Sequence, residues 1–108
     1  MPNTFKNFAN ANVGTTTTTV YTCPAATQTT VIGMTVANTT TNNITASVQV
    51  NHAGTDVFLV KDAMVPAGGA LVPVGGDQKL VLEAGDTIRV TSSIANSIDA
   101  IVSVLEIS

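Results

Sequence analysis

Along the last third of the chain, apolar and polar residues alternate with the two-residue period of a β-strand. In residues 79–83, Leu80 and Leu82 take one parity and Lys79, Val81 and Glu83 the other. After Ala84-Gly85-Asp86, Ile88 and Val90 alternate with Thr87, Arg89 and Thr91. Gly85 suits the positive φ that a tight turn needs, and the Asp86 side chain can bond its own backbone two residues on. The segment reads as three antiparallel strands separated by two tight turns. Its closing strand, residues 98–107, is apolar on both faces. Ile98, Ala100, Val102 and Val104 line one face, and Ile101, Leu105 and Ile107 the other. Such a strand lies inside a sandwich or under another subunit.

Upstream, the same pattern recurs between turn signals. Five consecutive threonines, residues 15–19, run into Val20-Tyr21-Thr22 as a β-branched first strand, which Pro24-Ala25-Ala26 breaks. Residues 29–38 form a second, with Ile32, Met34 and Val36 expected to face inward. A polar Asn/Thr turn leads to Ile44–His52, where Ile44, Ala46, Val48 and Val50 oppose Thr45, Ser47, Gln49 and Asn51. Residues 57–61 make a fourth strand. Ala70–Val74 is short, and Pro73 marks it as an edge. Gly75-Gly76-Asp77 turns the chain into the final three strands. About eight strands without helical periodicity predict an all-β fold: an antiparallel β-sandwich, jelly-roll-like, over residues 15–108. Residues 1–14, rich in Asn and Ala, read as an N-terminal arm that orders on a neighbouring subunit through Phe5 and Phe8.

Composition narrows the function classes. At 108 residues the chain is one domain. Only 10% of its residues are charged, against about 25% in ordinary soluble domains, which favours buried contacts between subunits. No apolar run approaches the roughly 18 residues of a membrane span, and no secretory signal is expected. Net charge is −3, and Lys6, Lys61, Lys79 and Arg89 are scattered, so no basic stripe serves nucleic acid.

Candidate chemistry is sparse. Cys23 and His52 are each alone of their kind, and the acidic residues are singly placed, so no catalytic constellation and no cofactor are expected. His52 falls on the apolar parity at a strand end and reads as a capped, partly buried imidazole. A metal there would need Asp56, across the Ala53-Gly54 turn, and a trimer axis to multiply the pair.

Tyr21-Thr22-Cys23-Pro24-Ala25, Asn38-Thr39-Thr40, Val65-Pro66-Ala67-Gly68-Gly69 and Leu82-Glu83-Ala84-Gly85-Asp86 resemble motifs of small virion structural proteins of tailed bacteriophages. The likeness covers roughly residues 20–107, and its motifs are those of a fold, not of an active site. It implies a non-enzymatic capsid decoration (cement) protein made in the host cytoplasm and carried on the virion. Its partners would be its own copies, with a homotrimer favoured, and a major capsid protein. Alternatives are a neck or tail-fibre accessory subunit, or a carbohydrate- or receptor-binding module. The expected subunit contacts are Phe5, Phe8, Ile101, Leu105 and Ile107.

Overall fold

The computed structural model describes residues 3–75 and 79–108. Nine strands follow one another: β1 (Asn3–Val13), β2 (Thr18–Thr22), β3 (Gln28–Asn38), β4 (Ile44–His52), β5 (Thr55–Val65), β6 (Ala70–Val74), β7 (Leu80–Leu82), β8 (Thr87–Ser92) and β9 (Ile98–Ile107). They form a five-stranded sheet, ordered β1-β9-β3-β6 with β7 also on β3, and a four-stranded sheet, ordered β2-β8-β4-β5. Every pairing is antiparallel. This is the strand order of a jelly roll, with β6 and β7 sharing one position.

Most connections change sheets, which corrects the expected meander at the C-terminal end. The turn at residues 83–86 does not join a hairpin: β7 pairs with β3, and β8 pairs with β2 and β4. Residues 93–97 likewise carry the chain back to the first sheet. Crossing lets consecutive strands bury their apolar faces on opposite walls of one core. Periodicity states which face is inward but not which strand lies beside it. Among the described residues, the one hairpin of consecutive strands is β4–β5. There Ala53 and Gly54 both have positive φ (51° and 84°), and His52 pairs with Thr55, as a two-residue turn matched to strand twist requires.

Two further expectations shift. In β3 the pairing with β9 slips between Val31 and Gly33. The bulge turns Ile32 outward, 37% exposed, and puts Val31, Met34 and Val36 in the core. The threonine run is only partly strand: β2 begins at Thr18. Residues 14–17 cross from one sheet to the other, held by the Ser92 N–H on the Gly14 carbonyl (2.9 Å) and by Thr17 against Thr91 (3.0 Å between hydroxyl oxygens). The expected 57–61 strand extends to Thr55–Val65, and the turn expected at Gly75-Gly76-Asp77 continues outside the described residues. Residues 3–13 of the expected arm lie along β9 as an edge strand.

The core between the sheets is aliphatic, with Met34, Leu82, Ile88, Ile98, Val90 and Val102 among its fully buried side chains. Replacing Ile88 with Ala should cost about 2–5 kcal/mol, through lost apolar transfer and the cavity left behind. Ile32→Thr, on the outward bulge, should stay within about 0.5 kcal/mol. Chemical denaturation of both variants checks the assignment. Equal losses would mean that the β3 register is wrong.

Candidate assembly surface

β9 presents two contrasting faces. Inward, Ile98, Ala100, Val102 and Val104 are buried; outward, Ile101 is 44% exposed, and Leu105 and Ile107 are half-buried. The chain therefore covers only one of the two apolar faces read from the sequence. Register extends the open face across its neighbours. Phe5 of β1 and Thr30 of β3 flank Leu105, Asn7 and Gly33 flank Ser103, and Ala9 and Thr35 flank Ile101. Phe5 is 74% exposed, and Val81 of β7, paired with Thr30, is 66% exposed. The outward positions of β1, β9 and β3 carry one charge, Asp99 at the end of the strip. Four of the five expected contact residues, Phe5, Ile101, Leu105 and Ile107, thus share one face.

Phe8 does not join them. It lies on the inward parity of β1 and packs on Tyr21, with ring centroids 4.8 Å apart and planes tilted by 57°. Under these rings lies a polar chain that sequence reading missed. The Tyr21 hydroxyl donates to Glu106 Oε2 (2.6 Å), and Lys6 Nζ sits 3.0 Å from Glu106 Oε1. With its proton given to the carboxylate, Tyr21 accepts from the Thr29 hydroxyl (2.8 Å), which in turn lies 3.2 Å from Cys23 Sγ. The chain joins β1, β2, β3 and β9 across both sheets. The tyrosine bond, with Lys6 behind it, holds Glu106 below the usual carboxylate range, against the opposing pull of burial. Burial and the carboxylate together push the Tyr21 phenol well up. The only signal in the sequence was Glu106 standing on the inward parity of an otherwise apolar strand face.

His52 meets an acid, but not Asp56. Its Nδ1 lies 2.8 Å from Asp86 Oδ1, while Asp86 Oδ2 accepts the Glu83 N–H (3.0 Å) and Asp56 takes the Asn51 amide (2.8 Å). The imidazole itself is exposed rather than partly buried. Asp86 raises its pKa, by the hydrogen bond first and by charge second. Asp86 is 34 residues away in sequence, so only the sheet-to-sheet turn brings it there. Cys23 is buried, with its thiol turned to Thr27, Thr29 and Leu82 and not to an imidazole. Among the described residues, no group of three or more His, Cys, Asp or Glu could hold a metal ion. Nor is there among them a helix long and apolar enough to cross a membrane.

No protein-family model and no curated protein matches the sequence. Solved structures share the fold. A chain from Bacillus endospore appendages, described as a novel family of disulfide-linked pili, superposes with a TM-score of 0.59 at 12% identity, covering 98% of this chain and 88% of that one. A chain of infectious bursal disease virus, Gx strain, gives a TM-score of 0.54 at 10% identity; it covers 98% of this chain, which spans 33% of the viral one. A pentameric capsid protein from metagenomic phage sequences is more distant, with a TM-score of 0.40 at 19% identity over 94% of this chain and 59% of that one. At these identities the likeness establishes the β-sandwich and no more.

The buried tyrosine–carboxylate bond and the histidine–aspartate pair each set a testable expectation. Tyr21→Phe should cost about 1–3 kcal/mol in denaturant unfolding, because it leaves Glu106 buried without its neutral donor. The histidine pair sets a pH dependence. Because the folded-state pKa of His52 is raised, its stabilisation is complete below the ordinary imidazole value and is lost as pH rises through the folded value. Thermal midpoints should therefore fall on the alkaline side of about pH 6.5, and His52→Gln should flatten that slope. A slope unchanged in His52→Gln would assign it to another group.

Proposed function

We propose that the chain is a non-enzymatic structural subunit of a virus particle, a jelly roll that self-associates and decorates the head of a tailed phage. The observation that carries this reading is the open face of the five-stranded sheet. There Phe5, Ile101, Leu105, Ile107 and Val81 lie together, although the chain has a separate, closed core. An apolar strip of this kind, nearly without charge, is poorly suited to water and well suited to a second protein surface. Copies of the same chain are the first partner, with a trimer favoured, and a capsid protein the second. The pilus and virus chains that share the fold are themselves parts of extended assemblies, which supports a structural role.

A carbohydrate- or receptor-binding role has less support. Among the described aromatic residues, Phe8 and Tyr21 stack on each other inside, and Lys61 Nζ lies 5.4 Å from the Phe58 ring centre. Phe5 is 74% exposed and Phe58 45%, but they stand on different sheets and together form no stacking platform.

Light scattering at micromolar concentration should give the mass of an oligomer. Ile101→Lys should reduce it towards the monomer with little change in thermal unfolding, since the residue is outside the core. A monomeric wild-type chain, or an oligomer indifferent to Ile101→Lys, would sink the proposed face. Imaging of a particle that carries the chain would then separate head from neck or tail.

A further inference from the structure

The outward face of the five-stranded sheet has a relief as well as an apolar character. β1 is anchored by three inward side chains, Lys6 on Glu106, Phe8 on Tyr21 and the buried Val13, so Phe5, Asn7 and Ala9 are held outward. Around Leu105 the face is high: exposed Phe5 stands on one side of it, and exposed Val81, beside Thr30, on the other. Around Ile101 it is low. Ala9, Ala11, Thr35 and Ala37 border an open hollow there of about 230 Å³. A volume of roughly 150 Å³ accepts benzene, so the hollow has room for a phenyl ring. Between the two ends lies a waist of Asn7, Ser103 and Gly33, level with one another in the register.

A ridge at one end and a hollow at the other restrict how a second copy can lie on this face. Consider a two-fold axis through the waist, between the two sheets and across the strands. It reverses the ends while keeping β1 over β1, β9 over β9 and β3 over β3. Each position then meets the one equally far beyond the waist. Phe5 falls over Ala9 of the second copy and into its hollow, and Leu105 falls over Ile101. Val81 falls beside Thr35 of the second copy, where β6 supplies the exposed Val72. Asp99, the one charge on these rows, falls over Ile107, which Asn3 and Gln28 flank with amides able to donate to it.

An axis along the strands also brings the faces together, but sets β1 over β3 with the ends unchanged. Phe5 then stacks on Thr30, and the two hollows face each other as a void, against the close packing of stable interfaces. The axis across the strands fills the hollows with the rings the face itself supplies. Its area suffices as well. Four strand positions about 4.8 Å apart, over residues 99–107 of β9 at about 3.4 Å each, give roughly 600 Å² per copy. The total of about 1,200 Å² reaches the lower bound of stable, specific interfaces.

We propose that this face is a two-fold joint between two copies of the chain, in which Phe5 of each seats in the hollow beside Ala9 and Ile101 of the other. The inference rests on the reading of the strip as a contact between copies and specifies their orientation and register. A contact of this symmetry closes on itself. Three-fold association is then built through a further surface, from pairs, and the assembly holds an even number of chains.

Exchanging ring and hollow tests the register in the full chain. Phe5→Ala should raise the dissociation constant about a hundredfold, because the lost ring counts twice across the axis. Ala9→Phe sets a ring against Phe5 of the second copy and should weaken association to a similar degree. The double variant Phe5→Ala/Ala9→Phe moves the ring from one level to the other and should regain most of the wild-type affinity. Positions 5 and 9 lie about 13 Å apart along one extended strand, so the rescue cannot arise within a chain. Sedimentation equilibrium reads the four constants, and matching circular dichroism spectra show that all four proteins fold. Where Ala9→Phe fails to fold, Val81→Lys and Val72→Glu take its place: each alone should weaken association, and the two together restore it. Single losses without rescue, no losses at all, or a wild-type mass of three chains would overturn the two-fold joint. Dissociation by Ile101→Lys would in that case still uphold the strip as a contact between copies. A wild-type chain that stays monomeric at micromolar concentration removes both readings.

Discussion

A charged carboxylate buried at one end of an aliphatic sandwich has to be compensated, and the way Glu106 is compensated orders much of this fold. Its two oxygens are claimed from different directions, by the Tyr21 hydroxyl from the four-stranded sheet and by Lys6 from the outermost strand of the other. Neither partner can be lost cheaply, because an unpaired buried charge is penalised far more than a paired one is rewarded. The bond from Tyr21 fixes the spacing of the two sheets at this level, and Thr29 and Cys23 extend the fixation to β3. The pair with Lys6 sets the register of β1, since a slip of one residue would turn the lysine to water and Phe5 into the core.

That register has a consequence for the opposite face. Once Lys6 and Phe8 are committed inward, Phe5 is committed outward, beside Leu105 and in line with Ile101. The closed core and the open strip are therefore alternate parities of the same strands, and β9 cannot have one without presenting the other. A chain with so few charges has little with which to dilute the strip. The strip is thus a property of the strand pattern itself.

Much of this was readable in the amino-acid pattern, and the gaps have specific causes. Strand parity was legible wherever the alternation ran clean, as in β4, β8 and β9. It failed at Ile32, where a bulge inserts a residue that no periodic template anticipates. Partnership was hidden: the Ala84-Gly85-Asp86 turn has hairpin chemistry, yet it joins strands of different sheets, because local residues specify a reversal and not what lies beyond it. The polar contacts were hidden for the same reason. Tyr21 and Glu106 stand 85 residues apart, and His52 and Asp86 stand 34 apart. Residues 3–13 looked like an arm because Asn and Ala are poor strand formers; pairing with β9 and the three inward anchors outweigh that weak local preference.

β1 pairs with β9, the first with the last of the nine described strands, and synthesis separates the two in time. A ribosome adding about 5–20 residues per second needs several seconds to pass from one to the other. Throughout that interval Lys6 has no carboxylate to meet, Tyr21 has none to donate to, and the β1 ladder has no partner. Closing the sandwich is therefore a non-local step that waits for β9. The carboxylate around which the fold is ordered is thus among the last of the described residues to arrive.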